Sequence, residues 1–181
     1  MKKFKIIRTV KYYFYRIIIR LRARKLGIHY APGIKVGKRI VIKDGTKVFL
    51  STNSRIADGC LFWGGGSVYI GANTSIGENS WIFSSGNDGV IFGDNVNCAA
   101  NLYLIDADHG FSAKNVLISE QRMVRKDIRI GNDVWIAANV TILKGTIIGV
   151  HSVVGACSLC NKQYDDNSLI CGVPAKVIKR I

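Results

Sequence analysis

The segment LIDADHGF, at positions 104–111, places one histidine beside two aspartates. A neutral imidazole is the side chain best suited to accept a proton near neutral pH, so His109 is a candidate general base. Asp106 or Asp108 lies close enough in sequence to fix the tautomer of that imidazole and to stabilise its protonated form. The segment therefore predicts proton-transfer chemistry. The alternative is a purely structural turn, which the aspartates would form and His109 would cap.

Metal chemistry has weaker support in the sequence. Zinc would need three convergent ligands, usually imidazoles, and His29, His109 and His151 show no paired spacing. Cys157 and Cys160 form one CxxC, with no second pair and no histidine nearby. We therefore expect no metal site.

The cysteines indicate a reducing compartment. They are odd in number and accompany no export signal, which is typical of free thiols in the cytoplasm. The five are Cys60, Cys98, Cys157, Cys160 and Cys171.

The elements that must position His109 follow a period of six residues. Apolar residues recur at every sixth position from Ile130 to Cys160, and small residues such as Gly131 and Gly149 follow several of them. An α-helix cannot use this period, because six residues turn it through about 600° and the apolar stripe would drift around its surface. A short strand and a corner in every six residues fit instead, so that three sides make one coil of a triangular prism.

The same period continues upstream with interruptions. Two earlier runs have apolar residues at every sixth position: Ile70, Ile76 and Ile82, and then Phe92, Cys98 and Leu104. Ile34 and Ile40 are also six residues apart and suggest the first coil. The step between the two runs is ten residues, which predicts four extra residues at a corner near 84–89. From Leu104 to Ile130 the step is 26, which predicts 20 extra residues in a protruding loop within 105–129. Long loops on a compact repeat are usually functional.

Length and composition indicate one globular domain with an appended arm. A chain of 181 residues fits a single sizeable core, and 48% hydrophobic with 21% charged residues excludes a disordered chain. We expect a basic arm over residues 1–30 and a repeat domain over residues 31–181 that carries the loop 105–129.

The net charge of +14 is confined to one end of the chain. Fourteen basic residues lie between Lys2 and Lys43, before the first acidic residue, Asp44. The remaining 12 basic residues balance all 12 acidic residues. A neutral body with a basic arm therefore describes the chain, and no nucleic-acid reader motif accompanies the charge, so we expect no nucleic-acid partner.

The arm is predicted to form an amphipathic helix over residues 2–25. Apolar residues stand at helical spacing, at Ile7, Val10, Phe14, Ile17, Ile18 and Leu21. Its uncharged runs are much shorter than the roughly 20 residues needed to span a bilayer, and no cleavage site follows, so neither a membrane span nor a signal peptide is expected. The pattern favours attachment to an anionic membrane face, with a helix that packs on an end of the fold or at a subunit contact as the alternative.

The hexads IGANTS, IGENSW, IGNDVW and IAANVT, with the closing segment CGVPAKVIKRI, resemble those of the hexapeptide-repeat acyltransferases. Among these the sequence is most similar to the sugar and polysaccharide O-acetyltransferases, which include the galactoside and maltose acetyltransferases. The resemblance covers about Ile34 to Ile181 and is strongest from Phe92 onward. It implies an all-β fold, a left-handed parallel β-helix with a protruding loop, next to the N-terminal helix and a short C-terminal segment. It also implies a homotrimer and acetyl-CoA as acyl donor.

In that family the motif that LIDADHGF resembles carries the catalytic base. Many members have a second histidine two residues earlier, where this chain has Ala107, so His109 is the only candidate in the loop. By this resemblance His109 would remove the proton of an acceptor hydroxyl as its oxygen attacks the thioester, with Asp106 or Asp108 as its partner. No residue of the sequence identifies the donor that would stabilise the oxyanion.

The resemblance also implies where the cofactor binds. Matching motifs place the pantetheine arm at Ala138, after VWIA, and at Ala156, after VVG, along the outside of the C-terminal coils between subunits. Contacts to the nucleotide end match four further residues: Asn161, Lys162, Lys176 and Lys179. Lysine supplies the charge that phosphates need without the bidentate geometry of arginine, and a solvated basic tail is the alternative.

Together these features favour an acetyl-CoA-dependent O-acetyltransferase that modifies a sugar hydroxyl during assembly of a surface polysaccharide, such as a capsule, O-antigen or exopolysaccharide. We expect it in the cytoplasm, with contact to the inner membrane face through residues 2–25. N-acetylation of a nucleotide-linked amino sugar is one alternative, in which loss of His109 would be less damaging. A non-catalytic trimeric scaffold at the membrane is another, and acetyl-CoA binding would discriminate it.

Two further classes on the same scaffold are disfavoured. A carbonic anhydrase of the β-helix type would need three zinc-binding imidazoles, which the histidine spacing does not provide. A serine acetyltransferase would carry a long helical N-terminal domain, and an arm of about 30 residues does not supply one.

Overall fold

The computed structural model describes the backbone of residues 2–181 and the side chains of residues 14–181. One helix, α1, spans Lys2–Lys25. After it the chain winds as a β-helix of about seven turns with three flat faces. Strands within each face run parallel, apart from the last strand of the chain.

Each face is one sheet, and successive strands of the chain visit faces A, B and C in turn. Face A contains β1 (His29–Tyr30), β4 (Lys47–Leu50), β7 (Ser67–Ile70), β10 (Val90–Phe92), β15 (Ile128–Ile130), β18 (Ile147–Ile148) and β21 (Gln163–Tyr164). Face B contains β2 (Lys35–Val36), β5 (Arg55–Ile56), β8 (Ser75–Ile76), β11 (Asn97–Cys98), β16 (Trp135–Ile136), β19 (Val153–Val154), β22 (Ser168–Gly172) and β23 (Ala175–Arg180). Face C contains β3 (Val41–Ile42), β6 (Leu61–Trp63), β9 (Trp81–Phe83), β12 (Tyr103–Ile105), β17 (Thr141–Leu143) and β20 (Leu159–Cys160).

The core is a stack of like residues, as the six-residue period predicted. Every member of the run from Ile130 to Cys160 is buried, and Ile136 pairs with Cys98 below it and Val154 above it. A fully buried isoleucine stabilises the fold by about 1.5–3 kcal/mol relative to an exposed one. Because neighbouring coils supply the contacts, the stability of the prism depends on stacking rather than on any one coil.

The first coil has a different register from the one predicted. Val36 pairs with Ile56 and Ile42 with Phe62, so these residues continue the core ladders. Ile34 and Ile40 are also buried, but they stand two residues earlier on the inward-facing side of the chain. Side chains alternate along extended backbone, so positions two apart face the same way, and the apolar pattern alone does not separate them.

Helix α1 closes the N-terminal end of the prism. Ile19 and Ala23 are buried in the core, and the guanidinium of Arg22 donates hydrogen bonds of 2.9 Å to the backbone oxygens of Val36 and Gly37. The packing role considered for this helix is therefore confirmed for its second half. Since β1 begins at residue 29, the prism starts inside the arm predicted over residues 1–30. No helical segment in the described part of the chain combines the length and hydrophobicity of a membrane span.

The corners define three edges. The first edge leads from face A to face B, the second from B to C and the third from C back to A. At the first edge Asn73 has a left-handed backbone with φ of 55°, a conformation that asparagine tolerates better than most residues. Its amide donates to Asn95 Oδ1 at 3.1 Å and its oxygen accepts from Asn53 Nδ2 at 3.4 Å, so the corner residues form a polar ladder.

Candidate active site

The third edge interrupts the six-residue period in four successive coils. Core residues are six apart across the first and second edges throughout. Across the third edge the steps are eight residues from Ile42 to Leu50, eight from Phe62 to Ile70, ten from Ile82 to Phe92 and 26 from Leu104 to Ile130. All the extra residues of these four coils are therefore gathered along one edge of the prism.

The longest insertion leaves the prism and returns as a hairpin. The excursion occupies residues 106–127, between β12 and β15, which agrees with the loop predicted within 105–129. At its base β13 (Ala107–Asp108) pairs antiparallel with β14 (Val124–Arg125), and a short 3₁₀ helix spans Ile118–Glu120. Its outer part exposes Phe111 and Leu117 among other apolar side chains, so it presents an apolar surface beyond the prism.

Asp106 ties the excursion to the corner of the coil below. Its carboxylate is buried and accepts hydrogen bonds from the backbone N–H groups of Ser85, at 2.8 and 3.0 Å, and Gly86, at 3.2 Å. The hydroxyls of Ser84 and Ser85 donate to it as well, at 3.3 and 2.9 Å. Bonds to an ionised acceptor are about twice as strong as neutral ones, so Asp106 fixes both the corner and the start of the excursion.

Asp108 is held from the coil above. Its Oδ2 atom forms an ion pair with the Nζ atom of Lys144, a residue at the third-edge corner after β17. The Lys144 side chain is 21% exposed and that of Asp108 is 39% exposed, so the pair is partly shielded from solvent. This ion pair and the hydrogen bonds of Asp106 together fix the backbone that leads into His109.

His109 lies at the outer end of this anchored base. Its side chain is exposed, while Gly110 beside it is buried and its N–H donates to the backbone oxygen of Arg122 at 3.1 Å. A Cβ atom at Gly110 would meet that oxygen at 2.7 Å, so only glycine permits this close approach. The imidazole of His109 is therefore presented to solvent from a rigid backbone.

Neither aspartate forms a hydrogen bond or an ion pair with the imidazole of His109. Within residues 14–181 no hydrogen bond or ion pair joins His109 to Asp106 or Asp108, whose carboxylates bind the corner and Lys144 instead. The aspartates are thus brought to the base of the excursion, as their sequence positions require, but they hold its backbone rather than the histidine ring.

The two alanines predicted to line the cofactor arm lie together on the second edge. Ala138 and Ala156 stand at corresponding corners of adjacent coils, and the N–H of Cys157 donates to the backbone oxygen of Ala138 at 3.0 Å. Ala156 is exposed and Ala138 partly so. Their small side chains leave the backbone of this edge accessible from outside.

The other predicted cofactor residues lie apart from this pair. Asn161 and Lys162 form the last third-edge corner, between β20 and β21. Lys176 and Lys179 lie on β23, which pairs antiparallel with β22 at the edge of face B. All four are exposed. Within one chain they do not converge on a single pocket with Ala138 and Ala156.

Face C separates the second edge from the third. The segment from Ala138 to Lys144 crosses this face in six residue steps, which at about 3.3 Å per step of extended backbone span roughly 20 Å. The outward side chains of face C include an aromatic cluster of Trp63, Trp81 and Tyr103. The ring centroids of Trp63 and Trp81 are 6.2 Å apart. Trp81 is 49% exposed and Tyr103 is 37% exposed, so face C carries accessible aromatic surface.

The cysteines have no metal-binding geometry within the described residues. No group of three or more His, Cys, Asp or Glu side chains lies close enough there to hold an ion. Of the CxxC, Cys157 is exposed at a corner whereas Cys160 is buried in the core. Burial raises the pKa of the Cys160 thiol to about 12 and that of Cys60 to about 11, so both stay protonated at neutral pH.

Two features of the site were missed in the sequence. Lys144 was not singled out, since only the stacking of coils brings it to Asp108, 36 residues away. The anchoring of Asp106 by Ser85 was missed as well. A signal was present for the latter, because the extra residues near 84–89 stand one coil below the larger insertion and therefore at the same edge.

Comparison with known proteins agrees with this architecture. Residues 127–162 match the family model described as bacterial transferase hexapeptide (six repeats). A protein of Escherichia coli K12, provisionally named lipopolysaccharide biosynthesis O-acetyl transferase WbbJ, is 30% identical over 162 residues, which cover 75% of this chain and 83% of the relative. The galactoside O-acetyltransferase of the same organism is 34% identical over 130 residues, which cover 59% of this chain and 64% of the relative.

The fold also has a counterpart among solved structures. The N-acyltransferase AntD from Bacillus cereus, in complex with dTDP and 3-hydroxybutyryl-CoA, superposes with a TM-score of 0.75 at 22% identity. The superposition covers 89% of this chain and 87% of AntD. The structural neighbours are left-handed β-helix transferases, which confirms the predicted fold class. The hexad core, the excursion at one edge and the extent of the match to WbbJ together place the chain in the hexapeptide-repeat family of acyltransferases.

Proposed function

We propose that the chain is an acetyl-CoA-dependent O-acetyltransferase that modifies a sugar hydroxyl, with His109 as general base. The observation that carries this proposal is the anchored base of the excursion. Asp106 binds the coil below, Asp108 binds Lys144 above, and His109 projects from between these supports into solvent. A turn histidine with no further role would not need its backbone fixed on both sides.

The reaction assigned to His109 is a single acyl transfer. The imidazole takes the proton of the acceptor hydroxyl as its oxygen attacks the thioester carbonyl carbon of acetyl-CoA. The tetrahedral intermediate collapses, the carbon–sulfur bond breaks, and the imidazolium returns its proton to the departing thiolate. The products are an acetyl ester of the sugar and free CoA. Asp106 and Asp108 act in this scheme as positioning residues for the backbone that carries His109.

We further propose that the chain assembles as a homotrimer through face C. Outward side chains of this face are largely apolar, whereas face B mixes the exposed Trp135 with charged outward residues such as Lys35 and Arg55. Burying the Trp81 and Tyr103 surfaces against other copies would remove accessible aromatic area from water. Threefold packing about an axis along the prism gives each copy the same environment and closes the assembly.

Such packing would combine the two edges that one chain keeps apart. The second edge of one copy, with Ala138 and Ala156, would meet the third edge of the next, with His109. The pantetheine arm would then lie along the alanines with its thioester near the neighbouring histidine. Lys162, Lys176 and Lys179 would supply positive charge for the phosphates of the nucleotide end, and Asn161 a polar contact.

Polysaccharide assembly is the process proposed for this reaction. The relative that supports it is WbbJ, whose name assigns it to lipopolysaccharide biosynthesis. The unpaired cysteines support a cytoplasmic location, since acetyl-CoA and reduced thiols occur together there.

N-acetylation of a nucleotide-linked amino sugar is the second candidate. It is favoured by the similarity in fold to AntD, an N-acyltransferase whose structure contains dTDP. An amine loses its proton more readily than a hydroxyl, so this reaction would depend less on His109. The choice of acceptor therefore separates the two candidates.

The test is the release of free CoA from acetyl-CoA by the full chain. Acceptors would be a panel of sugars, lipid-linked saccharides and nucleotide-linked amino sugars. The variants are His109→Ala and, as matched control, His29→Ala, which removes a histidine from β1 at the far end of the prism. We expect release that depends on a hydroxyl acceptor, with kcat at least about a hundredfold lower in His109→Ala and nearly unchanged in His29→Ala.

Other outcomes would replace this function. Release that depends on an amino sugar and falls less than about tenfold in His109→Ala would establish N-acetylation. If acetyl-CoA neither binds nor turns over with any acceptor, the enzymatic function is wrong and a scaffold role takes its place.

A further inference from the structure

Helix α1 carries two apolar stripes on opposite sides. Ile19 and Ala23 form the buried stripe, which packs on the first coil. The second stripe is exposed and consists of Phe14 (65% exposed), Ile17 (53%), Ile18 (38%) and Leu21 (59%). At 100° per residue, positions 14, 17, 18 and 21 share one side of the helix, centred opposite Ile19. This exposed stripe is not part of the fold's own core.

The sequence continues the spacing of this stripe upstream. Ile7 and Val10 stand at the corresponding positions of the helix, which begins at Lys2. A single exposed apolar residue needs no explanation, but a stripe at regular helical spacing is typical of a surface that contacts an apolar phase.

Basic residues flank the stripe. Arg20 and Arg24 lie on one side of it by helical angle, and Lys25 stands at its C-terminal end, one turn beyond Leu21. The helix has no acidic residue, and the fourteen basic residues that precede Asp44 account for the whole net charge of the chain. Whatever covers the stripe must therefore tolerate, or prefer, a high density of positive charge.

We propose that this stripe lies in the interface of an anionic membrane, so that the N-terminal end of the prism faces the bilayer. Phe14, Ile17, Ile18 and Leu21 enter the headgroup region while the flanking arginines and Lys25 bind lipid phosphates. A second copy of the helix is a poor occupant, because it would bring two uncompensated basic surfaces together. Nucleic acid would pair with the charge but leave the apolar stripe exposed to water.

The test is flotation of the full chain with vesicles of phosphatidylcholine alone or with 30% phosphatidylglycerol (about a third anionic lipid, as in a charged leaflet). The stripe variant is Ile17→Gln with Leu21→Gln, and its matched control is Val177→Gln with Ile178→Gln, exposed apolar residues at the opposite end. The charge variant is Arg20→Gln with Arg24→Gln, matched by Lys47→Gln with Lys114→Gln. Thermal unfolding checks that each variant folds.

We expect binding to anionic vesicles only, weakened by salt. The stripe variant should bind at least about tenfold less and the charge variant about thirtyfold less, since each basic residue near the surface contributes roughly fivefold. Both controls should bind like the wild type. Equal binding by the stripe variant and the wild type, or equal binding to neutral and anionic vesicles, would overturn the proposal.

A change of assembly would also overturn it. If the stripe variant shows a smaller mass by light scattering and unaltered flotation, the stripe joins copies of the chain instead of contacting lipid. The acetyl-CoA assay with a water-soluble acceptor stays independent, because no arm residue belongs to the proposed active site.

Discussion

The first and third edges of the prism belong to the same coils but differ in the number of residues between successive core positions. At the first edge the core residues stay six apart, and asparagines such as Asn73 stack in a polar ladder. At the third edge the steps grow to eight, ten and 26 residues, and the side chains that meet there are Asp106, Ser85 and Lys144. The difference indicates that a regular repeat suffices for folding, while departures from it mark where chemistry is assembled.

Replacing Asp106 should damage the third edge most. In Asp106→Ala the N–H groups of Ser85 and Gly86 and the Ser85 hydroxyl lose their common acceptor, which we expect to lower the free energy of unfolding by about 3 kcal/mol. Urea unfolding measures this, with Asp106→Asn as a control that retains one acceptor oxygen and should recover part of the loss. A change below about 1 kcal/mol would mean that the carboxylate does not anchor the corner.

Lys144 should matter for turnover more than for stability. Its ion pair with Asp108 is partly exposed, so Lys144→Met is expected to change the free energy of unfolding by less than about 1 kcal/mol. By loosening the backbone before His109 it should lower kcat about tenfold, with KM nearly unchanged. Lys144→Arg should retain most of the activity.

A double variant sharpens the role of this pair. If Lys144 acts only through Asp108, then Lys144→Met combined with Asp108→Asn should be no slower than the worse single variant. Independent, multiplying losses of kcat would show that the two residues do not act as a unit.

The first edge should show the opposite behaviour. Asn73 has φ of 55°, so Asn73→Ala should lower the free energy of unfolding by about 1 kcal/mol through backbone strain and the lost ladder bonds. Asn73→Gly, which tolerates that φ, should recover much of this. Turnover should stay at the wild-type level in both, and a tenfold fall in kcat would erase the distinction between the edges.

How far the sequence predicted the fold depended on the regularity of each coil. From Ile130 to Cys160 the period is unbroken, and its register was predicted residue by residue. In the first coil Ile34 and Val36 are both buried, and positions two apart on a strand share one side, so the pattern offered two registers and the wrong one was chosen. The pairing of Val36 with Ile56 depends on a neighbouring coil, which no local pattern contains.

The candidate site was predicted in its location but not in its contacts. The 26-residue step placed His109 on a protruding loop, which the structure confirms. The partners of Asp106 and Asp108 could not be predicted, because Ser85 and Lys144 reach them only after coils of unequal length stack. Sequence proximity to His109 suggested a role on the ring, whereas their hydrogen bonds are to the framework.

The central claim is that the third edge of one copy and the second edge of another form one active site. Mixing subunits tests it most directly: chains with His109→Ala are co-assembled at random with chains carrying Ala156→Trp, which blocks the alanine edge. Each parent alone should be inactive. In the mixture about a quarter of the sites would join an intact His109 to an intact Ala156, so about a quarter of wild-type CoA release should return.

A matched mixture provides the control. Chains with Ala138→Trp and chains with Ala156→Trp carry lesions on the same edge, so their mixture should stay inactive. Recovery of about a quarter of the activity in the first mixture alone is the result that this account predicts. If the first mixture is as inactive as its parents, with co-assembly verified, each site uses His109 and Ala156 of the same chain. That result would contradict a site shared between copies.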